Sequence, residues 1–291
     1  MYHVLIREDS LKNKKNIKKF NRFLAVFVNA GAEYVVHKTH TKDDIKNIVA
    51  EVTIGEGNSV IVVGGDGTLH DALNAFVNFE SNTLGLIPFG TGNDFAAAAG
   101  IPLQPEKAAE IILSGASRKI DFIQFSSGLR SINAVGMGID VDVLKRAYNG
   151  KNVKKSKYLH ALIVSLAKFK SYEFTVEYNG RTEEHFGLIA ALGNGKQIGG
   201  GIKMFPEAII DDGELNLFIA DYISKFSIIG AFLKLMRGKV NKVKQVTAIK
   251  TDSVKFTPKC ENFTIQADGE LYDNIPLEAH IEKAKLNFYL K

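Results

Sequence analysis

The sequence predicts an α/β chain of two domains: an amino-terminal three-layer α/β domain with a parallel sheet, and a carboxyl-terminal, mostly antiparallel β-sandwich. Three observations predict it. Short apolar strands alternate with amphipathic helices from Tyr2 to Leu113, the rhythm of a parallel sheet covered on both faces. Near Arg118 this gives way to successive strands joined by turn dipeptides such as Asn179-Gly180, a strong hairpin signal. A length of 291 residues with 45% apolar content supplies material for two cores. The boundaries fall at residues 1–122 and 123–283, with a last strand over 284–291 that returns to the first domain.

Tyr2–Ile6 reads as the first strand. A loop, Arg7–Leu11, then leads to a lysine-rich helix that carries Ile17, Phe20, Phe23, Leu24 and Phe27. Tyr34–His37 is the second strand, and Thr41 with Asp44 is spaced as a capping-box variant before the next helix. Val60–Val63 is an apolar β-branched run, the pattern of a fully buried strand, and a helix follows over Leu69–Phe79. Leu84–Ile87 is another strand, and Pro105 opens a helix in the position proline favours. Beyond Arg118, strands are expected over Lys119–Phe125, Arg130–Gly138, Glu173–Tyr178, Glu184–Leu192, Glu214–Ala220, Val246–Phe256, Asn262–Ala267 and Lys285–Leu290. Helices interrupt them near Val141–Tyr148, Tyr158–Phe169 and Lys225–Arg237.

The formal charge of +5 is mild. It suits an anionic ligand or membrane surface and does not call for nucleic acid. Cys260 is alone, which excludes a disulfide framework and a cysteine metal site. No uncharged apolar run approaches the ~18 residues a spanning helix needs. With no secretory leader in view, the expectation is a cytoplasmic protein.

Two loops carry the chemistry. Gly64-Gly65-Asp66-Gly67-Thr68 follows the Val60–Val63 strand and starts a helix at Leu69 and His70. Glycines between a strand end and a helix start leave bare backbone N–H groups for a phosphate. Asp66 is the odd member: a carboxylate repels an anion unless it holds a metal or takes a proton. Phe89-Gly90-Thr91-Gly92-Asn93-Asp94-Phe95 repeats the arrangement after the next strand. Two such loops one βα unit apart belong to the carboxyl edge of one sheet, where open α/β sheets bind ligands.

Together these loops resemble the catalytic domain shared by diacylglycerol kinases, sphingosine kinases and bacterial lipid kinases. The first loop alone is shared with NAD kinases and phosphofructokinases; the second points to lipid kinases. The order of later motifs extends the resemblance over nearly the whole chain: Asn133–Asp140, Gly193–Gly201, Pro206–Leu215 and Ala267–Glu270. It implies an ATP-dependent lipid kinase that phosphorylates a lipid hydroxyl, such as that of diacylglycerol, in a cleft between the domains. Gly64, Gly65, Asp66, Gly67, Thr68, Leu69, His70, Thr39, Gly90, Thr91 and Asn93 are the implied nucleotide contacts. The Asp211-Asp212-Gly213 turn is the implied Mg²⁺ site, held by the Asp212 carboxylate with the backbone carbonyls of Ile209 and Glu214; no cationic neighbour is evident for it in the sequence. Glu270 is the implied base, positioned by Asp268, with Asp66 as a second candidate. The family's Asn-Pro-x-x-Gly turn is absent here, where Arg7–Leu11 stands instead.

Residues 224–237 combine Phe226, Ile229, Leu233 and Met236 with Lys225, Lys234 and Arg237. Such a helix suits either a core face or an anionic membrane surface. Peripheral contact with the membrane follows from the second alternative, and a homodimer is left open. Two other readings compete: a kinase of a soluble substrate, of the NAD-kinase type, and a non-catalytic nucleotide- or lipid-binding regulator.

Overall fold

In the computed structural model, which describes residues 1–147, 161, 162, 164–166 and 168–291, strands β1 (Tyr2–Arg7), β2 (Tyr34–Thr39), β3 (Ser59–Gly64) and β4 (Thr83–Pro88) form a parallel sheet. Its order is β2-β1-β3-β4. The β-branched run of β3 is buried along its whole length, which requires cover on both faces. Helix α1 (Lys14–Asn29) packs with α5 (Pro105–Leu113), and α2 (Lys42–Ile54) packs with α3 (Asp66–Ala75). Helix α1 buries Phe20, Phe23 and Phe27 and leaves its lysines outside. The capping box of α2 is formed: Asp44 N donates to Thr41 Oγ1 at 3.1 Å, and Thr41 N donates to Asp44 Oδ2 at 3.0 Å. Helix α3 stops at Ala75, short of the expected Phe79, because Phe76 and Phe79 turn into the core with ring centroids 5.1 Å apart. A short helix, α4 (Asp94–Ala98), follows the second glycine loop.

The chain divides into two units, Met1–Asp121 with Ala284–Lys291, and Phe122–Lys283. In the second, strand β9 (Arg181–Gly193) serves both sheets. Its first half pairs with β8 (Tyr172–Tyr178), and its second half pairs with β7 (Ala134–Gly138) and β10 (Leu215–Asp221). Gly187 stands at the switch, where a Cβ would lie 2.7 Å from the Ala220 carbonyl. One sheet continues from β10 to β11 (Val246–Thr251) and from β7 through β13 (Thr264–Ala267) to β14 (Glu270–Asp273). The other runs from β8 through β12 (Ser253–Pro258) to the start of β15 (Leu277–Tyr289). Apolar side chains of both, among them Val135, Leu192, Ile265, Phe174, Phe256 and Leu277, share one core.

Several expected elements differ. The single strand Arg130–Gly138 is two, β6 (Arg130–Ser131) and β7, parted at Ile132-Asn133. Val246–Phe256 is likewise two strands that turn at Asp252. The last strand is the end of the longer β15, kinked at Ala284, whose φ is 46°. Ala284 N donates to the buried Asp121 carboxylate at 2.6 Å there, and Phe288 pairs with Leu84 of β4 in the first unit. β5 (Ser117–Phe125), α6 (Ile139–Ala147) and α7 (Lys225–Met236) lie where expected. Of the helix expected over Tyr158–Phe169, residues 161, 162, 164–166 and 168 are helical, while 158–160, 163 and 167 lie outside the described residues.

Candidate active site

Gly65 caps α3 in extended conformation, so the N–H groups of the first turn open at the end of β3. Gly65 to Thr68 are partly exposed. The two glycine loops meet backbone to backbone: a Cβ on Gly65 would lie 2.8 Å from Gly90 Cα, and one on Gly90 would lie 2.5 Å from Gly65 Cα. A Cβ on Gly64 would lie 2.8 Å from the Thr68 side chain. The glycines are therefore required by close approach.

Asp66 has a part that the sequence did not reveal. Its Oδ1 accepts from Phe95 N at 3.1 Å and its Oδ2 from Asp94 N at 3.2 Å. A carboxylate from one loop thus caps the helix that leaves the other, satisfying orphan N–H groups and placing negative charge at a helix amino end. Asn93 turns the second loop with φ 52° and donates from Nδ2 to Gly90 O at 2.9 Å. Its Oδ1 is buried and has no hydrogen-bond partner among the described residues. An amide oxygen left open beside a bare-backbone cradle fits a ligand that brings a donor or a cation. Thr91 is exposed at the loop tip.

Three of the expected nucleotide contacts have buried side chains. The Leu69 and His70 side chains are fully buried on α3. They serve the core there, with His70 Nε2 3.3 Å from Asn74 Nδ2. Thr39 is 1% exposed, and its hydroxyl donates to Ile6 O at 3.4 Å, so it faces the sheet. The lysine-rich helix keeps one link to the site: Lys19 Nζ lies 5.8 Å from the centroid of the Phe89 ring, beside Gly90.

In the second unit the glycine-rich turns and the Asp-Gly-Glu element converge. Asp268 is buried and accepts at Oδ1 from Ser131 Oγ (2.7 Å), Asn133 N (2.9 Å) and Ala134 N (3.1 Å), and at Oδ2 from Ile132 N (3.0 Å). Such a set ties the hairpin turn to the β6–β7 bend. Asn133 O in turn accepts from Asn194 N and Gly195 N, both at 2.9 Å. Asp268 and Gly269 take φ values of 52° and 88° in the two-residue β13–β14 turn, the left-handed pair that Asp-Gly suits. Glu270 starts β14 half-buried. Ser131, Asn133, Asn194 and Gln266 join this cluster by tertiary contact; only the glycine-rich turns signalled it in sequence.

The acidic turn also differs from expectation, because it has a cationic partner. Lys250, from β11, donates to Asp212 Oδ2 at 2.8 Å and to Glu214 Oε2 at 2.5 Å. Asp212 Oδ1 accepts from Glu214 N at 3.1 Å. The hydrogen bonds to Asp212 and then Glu214 raise the lysine's pKa above its ordinary range. Ile209 is exposed. Among the described residues no cluster of three or more His, Cys, Asp or Glu side chains is arranged to hold a metal ion. The turn as built fits an ammonium group.

One cavity stands out in this unit. About 90 Å³ in volume, it lies between α6, the β9–β10 sheet and α7, with Leu166, Leu188, Phe218, Ile228, Phe232 and Leu235 on its walls. Among the described residues, Asp140 is the only polar side chain that lines it. Helix α7 covers it with Ile228, Ala231, Phe232 and Leu235, while Leu233 and Met236 are exposed.

Comparison with known proteins agrees with this arrangement. Residues 2–125 match the diacylglycerol kinase catalytic domain, and residues 133–289 match the YegS C-terminal NAD kinase beta sandwich-like domain. The diacylglycerol kinase of Bacillus subtilis is 28% identical over 90% of this chain and 87% of its own length. A probable lipid kinase, YegS-like, of Xanthomonas campestris is 33% identical over 67% of each chain. A diacylglycerol kinase structure from Bacillus anthracis superposes with a TM-score of 0.77 at 20% identity, covering 100% of this chain and 97% of that one. An Archaeoglobus fulgidus NAD kinase structure in complex with ATP gives 0.51 at 12% identity, over 99% and 93% of the two chains. Two matched domains in this order place the chain in the bacterial lipid kinase family that includes the diacylglycerol kinases and the YegS-like kinases.

Proposed function

We propose that the protein transfers the γ-phosphoryl group of ATP to the hydroxyl of a membrane lipid of the diacylglycerol type. The paired loops of the first unit hold the nucleotide phosphates through backbone N–H groups. Asp66 fixes one loop to the other, and the Asn93 amide oxygen meets the nucleotide or its accompanying Mg²⁺. Glu270 takes the proton of the attacking hydroxyl. Asp268 positions it, because the Asp268 carboxylate is already committed to four donors.

The observation that carries a lipid acceptor over a soluble dinucleotide is the apolar cavity under α7. A dinucleotide would gain nothing from such walls, whereas an acyl chain gains about 0.8 kcal/mol for each methylene it buries. The outward Leu233 and Met236, next to Lys234 and Arg237, give α7 a second apolar face suited to an anionic bilayer surface. Among the described residues no helix is long and apolar enough to cross a membrane, so contact would be made from the surface.

Transfer of labelled phosphate from ATP, measured side by side on diacylglycerol in mixed micelles and on NAD, tests the reading. Labelled phosphatidate is expected. Label in NAD alone, or in neither acceptor, would overturn it.

A further inference from the structure

Asp140 opens α6 and is 5% exposed, and neither oxygen of its carboxyl has a hydrogen-bond partner among the described residues. A buried carboxyl without a partner is costly, and burial pushes it up to about 7 against a smaller opposing pull from the backbone N–H of Val141 and the Gln266 amide. What lies beside it is specific. Its Oδ2 stands where a Cβ on Gly136 would be, and Gln266 Nε2 is 3.1 Å from the same point. Gln266 pairs with Gly136 across the β7–β13 ladder and is itself buried. The other end of its amide, Oε1, accepts from Gly269 N at 2.9 Å. One side chain therefore faces the carboxyl of the cavity at one end and the Asp268-Gly269-Glu270 turn at the other.

A primary amide has one accepting and one donating end. With Oε1 turned to Gly269 N, the donating end points toward Asp140. An ionised carboxylate only accepts, so it favours this orientation; a protonated one brings an O–H that competes for Oε1. We propose that Gln266 is a positioning residue through which ionised Asp140 fixes the Gly269 turn and so aims Glu270 at the acceptor hydroxyl. The part given to Glu270 rests on the lipid-kinase reading; the link from Asp140 to Gly269 does not.

The other ionisable groups around Asp140 have partners of their own. From β8, the Tyr172 hydroxyl donates to Met137 O at 2.7 Å, and burial pushes its own pKa well above 10. On α6, Asp142 is paired with Arg146 at 2.8 Å, and Lys145 donates to Thr264 Oγ1 at 2.8 Å. The sheet face under α6 presents Ala134, Ile189 and Ala191 beside Gly136 and Gln266, while Val135, Met137 and Ile265 turn to the opposite face.

Two measurements test the proposal. The first is the ¹⁵N–¹H shift of Gly269, followed with pH in the wild-type protein and in Asp140→Asn. It should titrate with a midpoint of about 7 in the wild type and lose that step in the variant. A Gly269 signal with no such step in the wild type, or with the same step in Asp140→Asn, would overturn the link whether or not the protein is active. The second is kcat for phosphoryl transfer against pH. It should fall in the wild type as pH drops through about 7, and Asp140→Asn should lose that acid limb. Gln266→Leu should lower kcat at least ~10-fold with the KM for ATP unchanged. Should Gly269 titrate as expected while no lipid is phosphorylated by any form, the kinase reading fails and the link stands.

Discussion

The Asp66 carboxylate accepts the backbone N–H of Phe95 at 3.1 Å and so bolts the first glycine loop to the second. Removing it in Asp66→Ala strips α4 of its cap, at a cost of about 0.5–2 kcal/mol, and frees the second loop to drift. Turnover should fall at least ~10²-fold while the melting temperature falls by only a few degrees. Turnover near wild type would take Asp66 out of the mechanism. Gly90→Ala should have the same sign with a larger stability loss, since backbone rather than a flexible side chain blocks the new Cβ.

Glu270 and Asp268 should part company when both are changed. Glu270→Gln is expected to lower kcat by at least ~10²-fold with an unchanged melting curve. Asp268→Asn leaves buried N–H donors of residues 132–134 short of a charged acceptor. It should therefore lower stability by about 1.5–3 kcal/mol or more as well as activity. Denaturant unfolding with parallel kinetics distinguishes them; equal melting curves for the two variants would return Asp268 to the chemistry.

A divalent ion at the Asp212–Glu214 turn would have to compete with Lys250. With Lys250 in place, added Mg²⁺ should shift the melting temperature little. In Lys250→Met the two carboxylates lose their cation, and Mg²⁺ should then stabilise the variant measurably more than the wild type. Thermal shift against Mg²⁺ concentration decides it. An equal response in both would show that the ion binds beside the lysine, and Asp212→Asn would then be expected to abolish the response.

Asp140 should make stability depend on pH. Its folded pKa of about 7 lies above the unfolded value of 3.8. Stability from this group is thus fully present below the unfolded value and is lost as pH rises through the folded one. The loss is on the order of 4 kcal/mol at alkaline pH. Asp140→Asn should raise the melting temperature more at pH ~8 than at pH ~5. A uniform shift across pH would show that the carboxyl is solvated or paired.

Membrane contact through α7 should weaken when Leu233 and Arg237 are replaced by Ser and Glu. Cosedimentation with vesicles rich in anionic lipid should fall, most at low salt, where the attraction is least screened. Indistinguishable binding across a salt series would make the outer face of α7 an ordinary solvated surface.

Local pattern determined much of this protein. The apolar run of β3, the phenylalanines of α1, the Thr41–Asp44 capping box and the Asp268-Gly269 turn each rest on neighbours within a few residues, and each was legible in the sequence. The paired glycine loops were legible for the same reason, together with their order along the chain. What the tertiary structure decided depends on contacts between residues far apart in sequence. Gly65 needs Gly90 to explain it, Asp66 needs Phe95, Asp268 needs the N–H groups of residues 132–134, and Lys250 crosses from β11 to a turn that looked uncompensated. Leu69, His70 and Thr39 sit where a ligand loop would have them, yet the side to which a helix or strand end turns them is set by packing. The cavity around Asp140 is the furthest from reach: its walls come from α6, α7 and the strands between them, and no stretch of sequence contains more than a fragment of it.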